Sequence, residues 1–154
     1  MTMIEFVFYF SAAAVLPFWF AMIVFPTSKV TERMVRSPWI GVASPVACYL
    51  LLVLSNTDKL VLTSSPEAIT DFLSQPWAAT LFWAYAGAFD LFVGRWIFWD
   101  ARERGISPWW VSPALFVAII LGPVGFAMYG TVVAVHTLIN SSDDNNIATR
   151  LKAS

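Results

Sequence analysis

Charged residues divide the chain into long apolar runs. Residues 6–28, 37–57, 72–89 and 105–142 carry no Asp, Glu, Lys or Arg, and the last of these runs is much the longest. A helix needs roughly 20 apolar residues to cross a hydrocarbon core about 30 Å thick. The pattern therefore predicts an all-α integral membrane four-helix bundle, with spans over 4–25, 39–54, 77–99 and 111–139. Asp90 and Arg95 interrupt the third span. The fourth would be about 43 Å long, so it must tilt, kink at Pro123 or project beyond the bilayer. Trp39, Trp77, Trp99, Trp109 and Trp110 fall at helix ends, where an interfacial aromatic belt forms. Between the second and third spans, Ser65-Pro66-Glu67 reads as an N-cap, a proline at the first helical position and an early acid. It predicts a short helix on the outer membrane surface, with Ala68, Ile69, Phe72 and Leu73 on one side.

Composition agrees with this reading. Of 154 residues, 58% are hydrophobic and 12% charged, against about half and a quarter in soluble domains. A net charge of −1 leaves no electrostatic footprint for nucleic acid. The single cysteine, Cys48, excludes disulfide scaffolds and thiolate clusters. The single histidine, His136, excludes motifs built on paired imidazoles, so no metal site is expected. Lys29, Arg33 and Arg36 mark the first loop as cytoplasmic or stromal, and Arg102 and Arg104 mark the third. Both termini are then expected on the outer or lumenal side. Residues 1–140 read as one transmembrane domain, and 141–154 as a polar, mobile tail. No basic stretch precedes the first apolar run, so that run is expected to remain as a helix. With no plastid transit segment visible, the expected setting is a bacterial inner membrane or a thylakoid.

Ionisable residues within a membrane are costly and point to function. Trp83, Gly87, Asp90, Gly94 and Ile97 share one helical stripe. Asp90 thus has a glycine one turn to either side, a face that a neighbouring helix could approach closely. Tyr85, Phe89, Phe92, Trp96 and Trp99 form a second, aromatic stripe. Arg95 lies about 140° round the helix from Asp90, which argues against a pair within the helix. Counted from Trp99, Asp90 is about 13–14 Å deep. Pro17, Cys48, Tyr49 and the Gly122-Pro123 step come out at similar depth, which predicts a midplane pocket with aromatic walls. His136 falls about 37 Å along the fourth helix from Val111, near the outer interface. Asp100, Arg102, Glu103 and Arg104 read as a solvated helix end.

The segment Ala88-Phe89-Asp90-Leu91-Phe92-Val93-Gly94-Arg95-Trp96 resembles the signature of the ABA4-like family. Ile106-Ser107-Pro108 and Gly122-Pro123-Val124-Gly125 follow in the expected order, and Leu16-Pro17-Phe18-Trp19 with Phe25-Pro26 is similar to the family's first helix. The resemblance covers roughly residues 5–130 and suits a bacterial or cyanobacterial type of member. It implies a small four-helix membrane protein of carotenoid and xanthophyll metabolism. The plant member is required to make neoxanthin from violaxanthin, which implies an isomerase that turns an epoxide end group into an allenic alcohol without a cofactor. On that reading Asp90 is the acid or base and Arg95 steadies a developing alkoxide. Tyr85 stands where many members carry histidine five residues before the acid. Phe89, Phe92, Trp96, Trp83, Tyr49, Gly122 and Pro123 would line the place for the polyene. The alternative is a non-catalytic protein that binds a pigment, carotenoid or chlorophyll, as an accessory subunit or assembly helper of a photosynthetic complex. Expected partners are the lipid bilayer, a carotenoid ligand, and carotenoid enzymes or a photosynthetic complex.

Overall fold

The computed structural model describes residues 1–60 and 65–153, and the side chains of Pro38 and of the tail from residue 142 lie outside the described residues. The α-helices follow in order: α1 Met3–Val24, α2 Lys29–Arg36, α3 Pro38–Ser55, α4 Pro66–Leu73, α5 Pro76–Glu103, α6 Pro108–Ala118 and α7 Gly122–Ala153. No strand occurs among the described residues. By length and composition, α1 and residues 122–141 of α7 are each able to cross a membrane, and α2 with α3 would make a third crossing if that bent pair counts as one.

Local sequence explains where the helices start. Thr2 and Glu5 cap α1 reciprocally, the Glu5 amide donating to Thr2 Oγ1 at 3.2 Å and the Thr2 amide to Glu5 Oε2 at 2.8 Å. This exchange satisfies two amides that the first turn leaves without helical partners. Ser65 accepts from the Ala68 amide at 3.2 Å and starts α4 as its sequence predicts. The first loop is not a loop. Ser28 caps Val30, Glu32 occupies the first turn, and Arg33 and Arg36 the last. The charges therefore complement the dipole of a two-turn helix, α2.

Helix α5 is the axis on which α1 and α3 pack. At one end the core joins Val7, Leu52, Trp77, Leu81 and Ala84. At the other it joins Trp19, Met22, Leu91, Phe98, Leu115 and Tyr129. The close approach of α1 rests on a glycine: Trp19, 2% exposed, reaches α5 with the far edge of its indole, so that a Cβ at Gly94 would sit 2.7 Å from Trp19 Cζ3.

The expected fourth span over 111–139 is not one helix, and this corrects the four-span reading. α6 ends at Ala118, residues 119–121 turn, and α7 folds back along α6. Three features make the turn. Pro123 has no amide to extend the α6 ladder. The Ile120 and Leu121 amides both close on the Val117 carbonyl, at 3.1 and 2.8 Å. Gly125 has no side chain, so the α7 backbone rests directly on that of Ala118. Accordingly Met128, Val132 and His136 of α7 line a groove together with Ile106, Ser107 and Trp110. His136 is therefore not remote from the start of α6, and it lines a cleft with Arg104. The chain ends also correct an expectation. α1 begins beside the start of α5, with Phe8 stacked on Trp83, whereas α7 leaves past Arg104 at the other end of α5. The termini are at opposite ends of the bundle. Beyond Asn140 the backbone continues α7 to Ala153.

Side chains from elsewhere in the fold add hydrogen bonds to carbonyls at the helix ends. Thr31 Oγ1 donates to the carbonyls of Ala21 and Phe25 at 3.3 and 2.8 Å, and Ser112 Oγ donates to that of Ile23 at 3.1 Å. Arg102 donates to the Pro26 carbonyl, faces Glu32 Oε1 at 3.7 Å and lies 3.5 Å over the Phe98 ring. Arg102 is thus half-buried and structural rather than part of a solvated helix end. Replacing it with alanine should destabilise the protein by about 2–3 kcal/mol, the combined scale of a charged hydrogen bond and a partly desolvated cation–π contact. Thermal unfolding in detergent measures this, and an unchanged midpoint would show that Arg102 does not hold α1, α2 and α5 together.

Candidate functional site

The acid of α5 is set by one contact with α7. Asp90 is half-buried, and its carboxylate lies against the first residue of α7, so that a Cβ at Gly122 would stand 2.5 Å from Asp90 Oδ1 and 3.2 Å from Cγ. A side chain there would displace the carboxylate. The Val124 and Gly125 amides turn back to the Leu121 carbonyl at 2.9 and 3.0 Å, and Pro123 has none to offer. The carboxylate thus meets the start of α7 at Gly122, where residues 123–125 have no free amide to offer it. On its other side lies free space, since a Cβ at Gly87 would meet nothing within 4 Å.

From this contact the α5–α7 seam continues toward the basic end of the bundle. Trp96 lies against Phe126 and Tyr129, with ring centroids 5.7 and 5.9 Å apart. Farther along, Tyr129 Oη donates to Asp100 Oδ2 at 2.5 Å, and Arg104 Nε reaches the same oxygen at 2.6 Å. The hydrogen bonds from Arg104 and Tyr129 hold the Asp100 carboxyl below the usual carboxylate range, because they favour its charged form.

The aromatic stripe faces outward. Tyr85, Phe89, Phe92 and Trp96 are each 43–55% exposed. Tyr85 stacks on Phe89 at 6.0 Å and touches Tyr49 and Phe82, each at 6.4 Å. Trp83 stacks on Phe8 of α1 at 5.4 Å instead of lining a place beside Asp90. The structure thus brings Tyr49, Tyr85 and Phe89 together, and separately Asp90 and Gly122. Two broad grooves flank α6, one of about 570 Å³ between α6 and α7 and one of about 650 Å³ between α1 and α6. Neither is walled by Asp90, so neither is the midplane pocket with aromatic walls that the sequence led one to expect.

Arg95 is engaged elsewhere. Its Nε donates to the Val35 carbonyl at 2.6 Å and its Nη2 to the Arg36 carbonyl at 2.8 Å, while Trp99 Nε1 shares the Val35 oxygen at 3.1 Å. These are the last carbonyls of α2, so Arg95 caps that helix and does not turn inward to Asp90. The sequence reading missed the part played by Tyr129. Its position seven residues after Gly122, on the face of α7 that meets α5, was the available signal once the turn at Pro123 is recognised. Among the described residues no three His, Cys, Asp or Glu side chains converge as a metal site.

A family model described as ABA DEFICIENT 4-like matches residues 6–129, which include the Trp19–Gly94 contact, Asp90, Gly122 and Tyr129. Neither the curated proteins nor the solved structures offer a match to the chain.

Proposed function

The chain belongs to the ABA DEFICIENT 4-like family, whose members are carotenoid- and xanthophyll-related membrane proteins in general, and from that premise we propose that it isomerises the end group of a xanthophyll at the α5–α7 seam. The observation that supports this reading is the Asp90 carboxylate against Gly122, open to the lipid side past Gly87. Converting an epoxide to an allenic alcohol is redox-neutral. The epoxide C–O bond breaks, its oxygen takes up a proton, and the vinyl carbon beside the ring gives one up. One carboxyl group that carries the proton from carbon to oxygen serves both halves of the reaction. Trp96, which lies against Phe126 and Tyr129 farther along the seam, would hold the polyene next to the end group, while Tyr85 and Phe89 face Tyr49 on the α3 side. Arg95, spent on α2, has no part in the reaction.

In this reading α1, the α2–α3 pair and α5 cross the membrane, either a bacterial inner membrane or a thylakoid. α6 and α7 enter as a hairpin from the basic side and turn at Gly122, so the carboxy-terminal end of α7 returns to that side. At this turn Gly122 lies against Asp90 of α5, while Ile120 and Leu121 present apolar side chains outward.

The test is pigment turnover by the purified full-length protein in nanodiscs, offered a panel of epoxy- and hydroxy-carotenoids. An isomer of unchanged mass appearing with time is the expected result. The exposed aromatic face of α5 favours one other reading, a pigment carrier or accessory subunit of a photosynthetic complex. Stoichiometric pigment without turnover, with co-migration of the protein and a photosystem on a native gel, would assign that role instead. Failure to bind any carotenoid would overturn both.

A further inference from the structure

Helix α2 displays a row of cations whose side chains make no hydrogen bond or ion pair among the described residues. Lys29, Arg33 and Arg36 stand at i, i+4 and i+7, all exposed, and so share one face. Among the described residues none of the three meets an acid: Glu32, one turn from both Lys29 and Arg36, faces Arg102 instead. The face is held rigidly. Thr31 ties the start of α2 to the end of α1, and Arg95 and Trp99 tie its last carbonyls to α5. Along α2 the row rises about 10 Å, comparable with the headgroup layer of one leaflet. Where the row ends, Trp39 is 75% and Ile40 62% exposed. Cations, then tryptophan, then an aliphatic side chain match the sequence of phosphate, interface and hydrocarbon met on entering a leaflet.

We propose that the face formed by Lys29, Arg33 and Arg36 is a docking surface for the phosphate headgroups of anionic phospholipids, which α2 gathers beside the end of α5. An acidic protein would complement the three cations but not the exposed Trp39 and Ile40 beneath them, so the surface fits a lipid. The inference stands apart from turnover and holds for an isomerase or a pigment carrier alike.

The test places full-length protein in nanodiscs of phosphatidylcholine and phosphatidylglycerol, extracts it in mild detergent, and measures the lipids it retains. The wild-type protein should retain phosphatidylglycerol in excess of its bulk share. Each cation removed should lower that preference about five-fold, and salt should weaken it. In K29Q/R33Q/R36Q the preference should vanish while the unfolding midpoint falls only slightly, because all three side chains are exposed and act on the fold only through the α2 dipole. K59Q, which removes an exposed lysine of the turn after α3, should retain lipid as the wild type does. A triple variant that keeps its phosphatidylglycerol, or a K59Q variant that loses as much, would overturn the proposal. A preference of the wild type for polyglutamate over phosphatidylglycerol vesicles would also overturn it and assign the face to an acidic protein.

Discussion

Replacing Asp90 with asparagine should slow conversion of an epoxy-xanthophyll by about 10²–10⁴-fold, the usual contribution of a positioned acid or base. Asparagine has nearly the shape of aspartate and still fits against Gly122, so pigment binding and the unfolding midpoint should change little. What it loses is the capacity to take a proton from carbon and release it to oxygen. The complementary variant is Gly122→Ala. There the acid is retained, but the new Cβ would fall 2.5 Å from Oδ1 and must push the carboxylate aside. Turnover should fall in that variant too, although no titratable group is removed. Single-turnover rates with pigment saturating separate chemistry from binding. A D90N protein as fast as the wild type would sink the assignment of Asp90, whatever G122A does.

The second large effect is on stability. Gly94→Ala should destabilise the protein by about 1–3 kcal/mol, which lowers the unfolding midpoint by roughly 2–12 °C for a chain of this size. The added methyl would lie 2.7 Å from Trp19 Cζ3 and 3.1 Å from Cζ2. Trp19 is 2% exposed and packed on all sides, so the ring cannot swing away, and α1 must move off α5. Gly87→Ala is the control on the same stripe. It meets nothing within 4 Å, and replacing glycine in a helix interior with alanine is favourable by up to about 1 kcal/mol. G87A should therefore unfold at or above the wild-type temperature. Thermal unfolding of both variants in one detergent decides the matter, and equal losses would show that the Trp19 contact does not set the α1–α5 distance.

These two glycines show where sequence reading stops. Their spacing round Asp90 is visible in the chain, and it led to the expectation of a small-residue face against a neighbouring helix. A stripe of small residues says that something can come close but not what does. At Gly94 it is the indole of Trp19, far earlier in the chain, and at Gly87 it is nothing. Arg95 tells the same story. Its angular separation from Asp90 already argued against a pair, but that its partners are the final carbonyls of α2 depends on α2 being a helix. The three cations that marked an inner loop disguised the cap and dipole pattern of Ser28, Glu32, Arg33 and Arg36.

Hydrophobic run length, capping residues and local motifs act within a few residues of one another, and they were enough to read the protein as helical and apolar. They also placed the start of most helices, pointed to the family, and singled out Asp90 as the acid to examine. The reversal of the last apolar run could not be read that way. The run is uncharged on both sides of Gly122 and Pro123, so hydropathy does not distinguish a kinked span from a hairpin. Contact between distant residues makes the choice: the α7 backbone at Gly125 lies on Ala118, Tyr129 reaches Asp100, and Asp90 takes the space that Gly122 leaves empty.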